Sequence, residues 1–237
     1  MRINVHAGHN PAGKVACGAV GLINESTENR RVKEEVISQL RELGHTVYDC
    51  TCDNGTGQND VLQKIVAKCN AHDVDLDVSI HFNSGAGDQA GNDKTTGVEA
   101  YVYSASSAAK SYAEKICQAV ADQGFRNRGV KYSTTLYVLK HTKAPAVLVE
   151  CCFVDDRDDV ELYDYQKMAA AIVYGITGQS VQESQETAPV DPGEETPVGD
   201  PKELYRVQVG AYGVKGNADA MKARLQAAGF DAIIVKA

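Results

Sequence analysis

Val78-Ser79-Ile80-His81-Phe82 sets three large apolar residues in alternation with a hydroxyl and an imidazole. Alternation over so short a run, rich in β-branched and aromatic residues, predicts a buried β-strand. Upstream of it, residues 59–71 carry Val61, Leu62, Ile65 and Val66 at helical spacing, and Thr46-Val47-Tyr48 suggests another strand. Residues 26–43 place Val32, Val36, Ile37, Leu40 and Leu43 on one helical face, with Ser26 as the expected cap and Gly44 as the stop. Ile3-Asn4-Val5 is a short first strand. Downstream, Val98 to Tyr103 reads as a strand and about 106–123 as a helix. Leu136-Tyr137-Val138-Leu139 and Ala146-Val147-Leu148-Val149 are short apolar runs, and 163–176 is a last helix. Strands alternating with helices predict an α/β three-layer sandwich, with a mixed, largely parallel central sheet and helices on both faces. In such sheets functional groups gather at strand ends and in the loops just after them.

The composition sets bounds on this core. Its 237 residues are 43% apolar and 24% charged, which fits one full catalytic domain with a small appendage and excludes wholesale disorder. A net charge of −8 disfavours nucleic acid as a partner. There is no run of 18 apolar residues, so no membrane span is predicted. Seven scattered cysteines without paired CxxC sets read as reduced thiols. The stretch from Met1 to His6 lacks the apolar core of a signal peptide. The expectation is therefore synthesis in a cytoplasm. The acidity is uneven. Residues 1–178 hold 18 bases against 23 acids, residues 179–203 one against seven, and residues 204–237 five against two. Residues 179–203 also hold four of the six prolines and read as an extended, self-repelling linker.

Four strand or helix ends carry groups suited to chemistry. His6-Ala7-Gly8-His9 follows the first strand, Asn24-Glu25 opens the first long helix, His81 ends the buried strand, and Glu150 ends the last apolar run. Two histidines and one glutamate with an open fourth position form the ligand set of a hydrolytic zinc site. A further glutamate can then act as proton acceptor. Glu150 sits in Val147-Leu148-Val149-Glu150-Cys151-Cys152-Phe153, where burial raises a carboxyl pKa and suits it to general-base work. The plain alternatives are structural histidines and a buried salt bridge. Alternation along that strand expects Cys151 on the face opposite Glu150 and Cys152 on the same face. A cysteine nucleophile is disfavoured.

In order along the chain, Gly8-His9, Asn24-Glu25 with Asn29, Ser79-Ile80-His81-Phe82-Asn83, Asn127-Arg128-Gly129-Val130 and Pro145-Ala146-Val147-Leu148-Val149-Glu150 resemble the zinc-dependent N-acetylmuramoyl-L-alanine amidases of the Amidase_3 type. The resemblance covers most of residues 1–175. It implies one zinc ion per catalytic domain, held by His9, Glu25 and His81, with Glu150 as catalytic acid/base. The implied reaction is cleavage of the amide between the muramic lactyl group and L-alanine in bacterial peptidoglycan. The family commonly has an aspartate three residues before the first zinc histidine, where this chain has His6. His9 is preferred as ligand because Gly8 lets the backbone turn and the match aligns on Gly-His. Arg128, in the loop before Val130, is a candidate for holding a substrate carbonyl or carboxylate. Asn83 and Tyr137 are further substrate-binding candidates. His141 reads as a loop residue upstream of Glu150, with a place at the border of the cleft as the lesser alternative, while His45 and His72 are read as surface residues.

Residues 204–237 read strand, helix, strand: Leu204 to Tyr212, Asn217 to Ala228, then Ile233-Ile234-Val235. Tyr205-Arg206-Val207-Gln208-Val209-Gly210-Ala211-Tyr212 with Ala228-Gly229-Phe230 resembles one SPOR-type βαβ repeat, half of the usual domain. SPOR domains bind peptidoglycan glycan strands, which points to Tyr205, Gln208 and Tyr212 as glycan contacts. A single unit of this size rarely buries a sufficient core, so pairing of two tails in a homodimer is the expectation. The resemblance as a whole suggests a wall-lytic enzyme acting after release, as a phage endolysin or a sporulation autolysin. The alternatives are a zinc carboxypeptidase on cell-wall peptides and a non-catalytic wall-binding adaptor.

Overall fold

The computed structural model describes residues 1–181 together with Lys215, Lys222, Gln226 and residues 233–235. The chain divides into two compact units, Met1–Ser184 and Gln185–Ala237. Most of the linker and tail readings, with Tyr205, Gln208 and Tyr212, lie outside the described residues. Within the tail, Lys215, Lys222 and Gln226 are helical, while Ile233, Ile234 and Val235 are exposed and irregular where a strand was expected.

Six strands form one sheet: β1 (Arg2–Ala7), β2 (Thr46–Asp49), β3 (Leu76–Asn83), β4 (Val98–Val102), β5 (Asn127–Tyr132) and β6 (Ala146–Phe153). Their order is β2-β1-β3-β6-β4-β5. β2, β1, β3 and β6 run parallel, β4 runs antiparallel to β6, and β5 runs parallel to β4. The sheet is thus mixed and largely parallel. β1, β3 and β6 are buried on both faces, as covered parallel strands require.

Helices cover both faces. The larger core lies under α1 (Glu25–Glu42), α3 (Lys110–Ala121) and α6 (Tyr165–Thr177), where Val32, Val36 and Leu40 meet Ile116, Val120, Met168 and Ile172. The smaller core lies under α2 (Gln58–Cys69) and α4 (Tyr137–His141), where Val61, Ile65 and Cys69 meet Val138, Leu139 and Leu148. A short α5 (Arg157–Leu162) follows β6. Among the described residues no helix is long and apolar enough to cross a membrane.

Several local expectations differ from what forms. The cap of α1 is Asn24, whose side chain accepts from the Thr27 N–H at 3.2 Å. Ser26 lies buried inside the first turn and donates its hydroxyl to the Cys17 carbonyl. The apolar run at Leu136–Leu139 belongs to helix α4, since a run of four does not by itself separate strand from helix. Residues 127–132 form edge strand β5, so Arg128 stands on a strand and not in a loop. Cys152 packs in the larger core beside Cys151, away from the Glu150 face. The cause is a bulge: His81 pairs with Glu150 and Asn83 with Phe153, so two residues of β6 oppose one of β3.

Candidate metal centre and the sheet edge around it

The C-terminal ends of β1, β3 and β6 lie side by side at one edge of the sheet. β1 leads into Gly8 and His9, β3 ends in His81, Phe82 and Asn83, and β6 carries Glu150 opposite His81. The N-terminus of α1 brings Glu25 to the same edge. One ligand atom from each of His9, Glu25 and His81 lies within 4.8 Å of the others. His81 Nδ1 is 3.0 Å and His9 Nε2 is 3.3 Å from the same oxygen, Glu25 Oε1. A tetrahedral ion with bonds of about 2.0–2.2 Å holds its donors roughly 3.3 Å apart. Two of the three donor separations match that spacing and all three lie within 4.8 Å, so the trio could hold one metal ion.

Neighbouring groups fix this trio. The Glu25 carboxylate is buried and accepts from the Phe82 N–H at 3.2 Å and the Ala19 N–H at 2.8 Å. Burial pushes its pKa up, but hydrogen bonding to His81 and then His9 outweighs this and holds the carboxyl well below its usual range. Burial lowers the His81 pKa, with Glu25 opposing, so the ring is kept in its neutral, ligating form. His9 adopts a left-handed backbone, φ 63°, an uncommon conformation for a residue with a side chain. The turn is pinned from α1: Asn29 Nδ2 donates to the Gly8 carbonyl at 3.0 Å and Arg30 Nη2 to the His9 carbonyl at 3.0 Å. Arg30 is itself paired with Asp53 at 2.7 Å. Nothing in the sequence pattern singles out Arg30, because at the turn it meets the backbone carbonyls of Gly8 and His9, and its carboxylate partner Asp53 is distant in sequence.

Glycine is needed at two positions. A Cβ on Gly8 would stand 2.0 Å from His81 Cε1, and one on Gly18 would stand 2.4 Å from Glu25 Oε2. Both glycines let backbone pass against the side chains of the candidate metal trio.

Glu150 is partly buried, and its Oε2 is shut off from solvent with no hydrogen-bond partner. Burial, then the charges of Glu25 and Glu99, push its pKa up to about 8. A buried carboxyl oxygen without a partner, on the strand next to His81, is a candidate for proton exchange. A cation bound at the trio would draw this pKa down again.

His6 is fully buried on β1, its Nδ1 3.5 Å from Ser79 Oγ, and it is not one of the convergent trio. Burial, then the neighbouring His81, lowers its pKa to about 3, so it stays neutral. His141 ends α4 with its ring 4.3 Å from that of Tyr137, and Tyr137 packs on the smaller core. His72 stacks on Tyr48, and His45 lies 3.1 Å from the N-terminal amine.

One buried carboxylate at this edge escaped the sequence reading. Glu99, at the start of β4, is the cross-strand partner of Glu150. It accepts from Asn83 Nδ2 at 2.9 Å, Tyr101 OH at 2.9 Å and Arg128 Nε at 2.7 Å. Burial pushes its pKa up, but the Arg128 and Tyr101 hydrogen bonds hold it below the usual range. The loop leading to β4 is clamped from α5 and the turn before it. Asp155 accepts from the Gly85 and Gly87 N–H groups, Asp156 from Thr96, and Asp159 from Gly97 at 3.0 Å.

Residues 3–178 match the N-acetylmuramoyl-L-alanine amidase family (Amidase_3), and residues 200–237 match the SPOR domain. An uncharacterised protein of Clostridium perfringens is 37% identical over 167 residues, 69% of this chain and 47% of that protein. The N-acetylmuramoyl-L-alanine amidase CwlM of Bacillus licheniformis is 30% identical over 174 residues, 70% of this chain and 58% of that one. The chain thus spans about half the length of the curated relatives it matches. Among solved structures, the catalytic domain of the CD27L endolysin targeting Clostridia Difficile superposes with a TM-score of 0.67 at 26% identity, covering 76% of this chain and 99% of that domain. With the family match spanning nearly all of the sheet and its helices, the chain belongs to the N-acetylmuramoyl-L-alanine amidase family.

Proposed function

We propose that this chain is a peptidoglycan hydrolase that cleaves the amide between N-acetylmuramic acid and L-alanine. The observation that carries this reading is the orphaned, proton-holding Glu150 beside the convergent His9, Glu25 and His81. Those three residues would hold the zinc ion that is general in the family, and their donor set suits it. Zinc supplies Lewis acidity toward the scissile carbonyl and toward an attacking water. Glu150 takes the proton from that water and later delivers it to the departing alanine amine. Buried neutral His81 and ionised Glu25 present their lone pairs inward, while the Asn29 and Arg30 contacts keep the His9 turn from relaxing. The SPOR match supports a tail that binds the glycan of the wall and keeps the enzyme on its insoluble substrate.

Product analysis tests this. Digestion of purified peptidoglycan should expose new L-alanine amino termini, read by amine labelling, and leave muramic lactyl carboxylates. Release of single amino acids would instead identify a carboxypeptidase.

A further inference from the structure

Four side chains cross the sheet edge in one row: His81 on β3, Glu150 on β6, Glu99 on β4 and Arg128 on β5. The first three are successive cross-strand partners, and the fourth is tied to the third. Arg128 reaches this row through an irregularity. Val98 pairs with Asn127 but Ala100 with Val130, so three steps on β5 match two on β4. Gly129 takes up the extra residue at φ 76°. In an unbroken strand Arg128 and Val130 would share a face. Val130 packs on the larger core, and the bulge turns Arg128 to the other face, where Glu99 waits. Bulges that re-aim one side chain recur next to active sites.

The guanidinium is held on two sides. Nε donates to Glu99 Oε2 at 2.7 Å, and the guanidinium carbon lies 4.9 Å from the centroid of the Phe153 ring. Both Nη groups are without a hydrogen bond among the described residues, and the side chain is 29% exposed. A fixed, planar fork that opens to solvent is the geometry that takes a carboxylate bidentately.

The position of the fork selects the carboxylate. Neighbouring strands stand about 4.8 Å apart, so β5 lies roughly 10 Å from β6, while an extended peptide spans about 3.3–3.6 Å per residue. The fork is thus within reach of the first few residues beyond the scissile amide. On the glycan side of that amide the sugars are neutral, and the muramic carboxyl is itself the acyl group being cleaved. Ionised carboxylates lie on the peptide side.

We propose that Arg128 binds an ionised carboxylate of the stem peptide and so lays the peptide across the edge toward Glu150, with Glu99 as the positioning residue that aims it. The proposal rests on the amidase reading given above. Asn83 and Tyr101 brace Glu99 from the other side, so the carboxylate has little freedom to follow the arginine outward.

The test uses the zinc-loaded full chain and two synthetic substrates: N-acetylmuramoyl-L-alanyl-D-glutamate, and the same compound with both glutamyl carboxyls converted to carboxamides. The wild type should favour the acid about tenfold or more in kcat/KM, mostly through KM. Arg128→Gln should bring the two substrates to within about twofold, and Arg128→Lys, which keeps the charge but not the fork, should fall between. Glu99→Gln should weaken the preference at least about threefold at unchanged zinc content. Equal cleavage of both substrates by the wild type, or a preference intact in Arg128→Gln, would overturn the proposal and leave the amidase reading standing. A Glu99→Gln variant that loses both substrates in equal measure would overturn the positioning role. Failure of the wild type to cleave either one would overturn the amidase reading and this proposal with it.

Discussion

At Gly8 the absence of a side chain has a chemical consequence. The His81 ring occupies the space that a Cβ would take, 2.0 Å from Cε1. Gly8→Ala should therefore push His81 off its position and weaken zinc binding by on the order of 10- to 100-fold, measured by competition with a chelating dye. Unchanged affinity would mean that His81 does not ligate from this rotamer. The convergence of His9, Glu25 and His81 was legible in the sequence, since each ends a strand or opens a helix. Glu99 was not, because it begins its strand. Strand starts lie at the opposite edge in a parallel sheet, and only the antiparallel run of β4 brings Glu99 beside Glu150.

Among the elements, the long helices and central strands follow from their apolar periodicity, while β5 and α4 do not. β5 (Asn127–Tyr132) is an edge strand with a mid-strand glycine and has no fully buried position, so its alternation is hidden. α4 is five residues long, too short to show a helical period. Helix pairing has its own test. Gly175 of α6 lies so close to α3 that a Cβ would meet the Ile116 backbone at 2.6 Å. Alanine gains up to about 1 kcal/mol in helix propensity, but forcing two helices apart costs about 1–3 kcal/mol. Gly175→Ala should lower the melting temperature by a few degrees in calorimetry, and a rise would show that the helices separate freely.

For the molecule as a whole, the buried groups of the site make stability depend on pH. Glu150, near 8 when folded, keeps a proton that the unfolded chain loses near 4.5, so it destabilises progressively as pH rises from about 4.5 to 8. His6, near 3 when folded and 6.5 when unfolded, acts oppositely and adds stability as pH rises from about 3 to 6.5. Above 6.5 only the Glu150 effect is left of the two. Metal-free protein should lose on the order of 1–2 kcal/mol between pH 6.5 and 8, read by chemical denaturation. Metal-free Glu150→Gln should be nearly flat over that range. Equal slopes in the two proteins would mean that Glu150 is ionised throughout.

In the proposed mechanism His9, Glu25 and His81 hold zinc and Glu150 moves the proton. Its most direct test pairs zinc content with release of L-alanine amines from peptidoglycan in the wild type, Glu150→Gln and His81→Ala. One zinc per chain is expected in the first two, with amine release cut by at least about a hundredfold in Glu150→Gln, and loss of both metal and activity in His81→Ala. Undiminished amine release by Glu150→Gln, or stoichiometric zinc in His81→Ala, would contradict it.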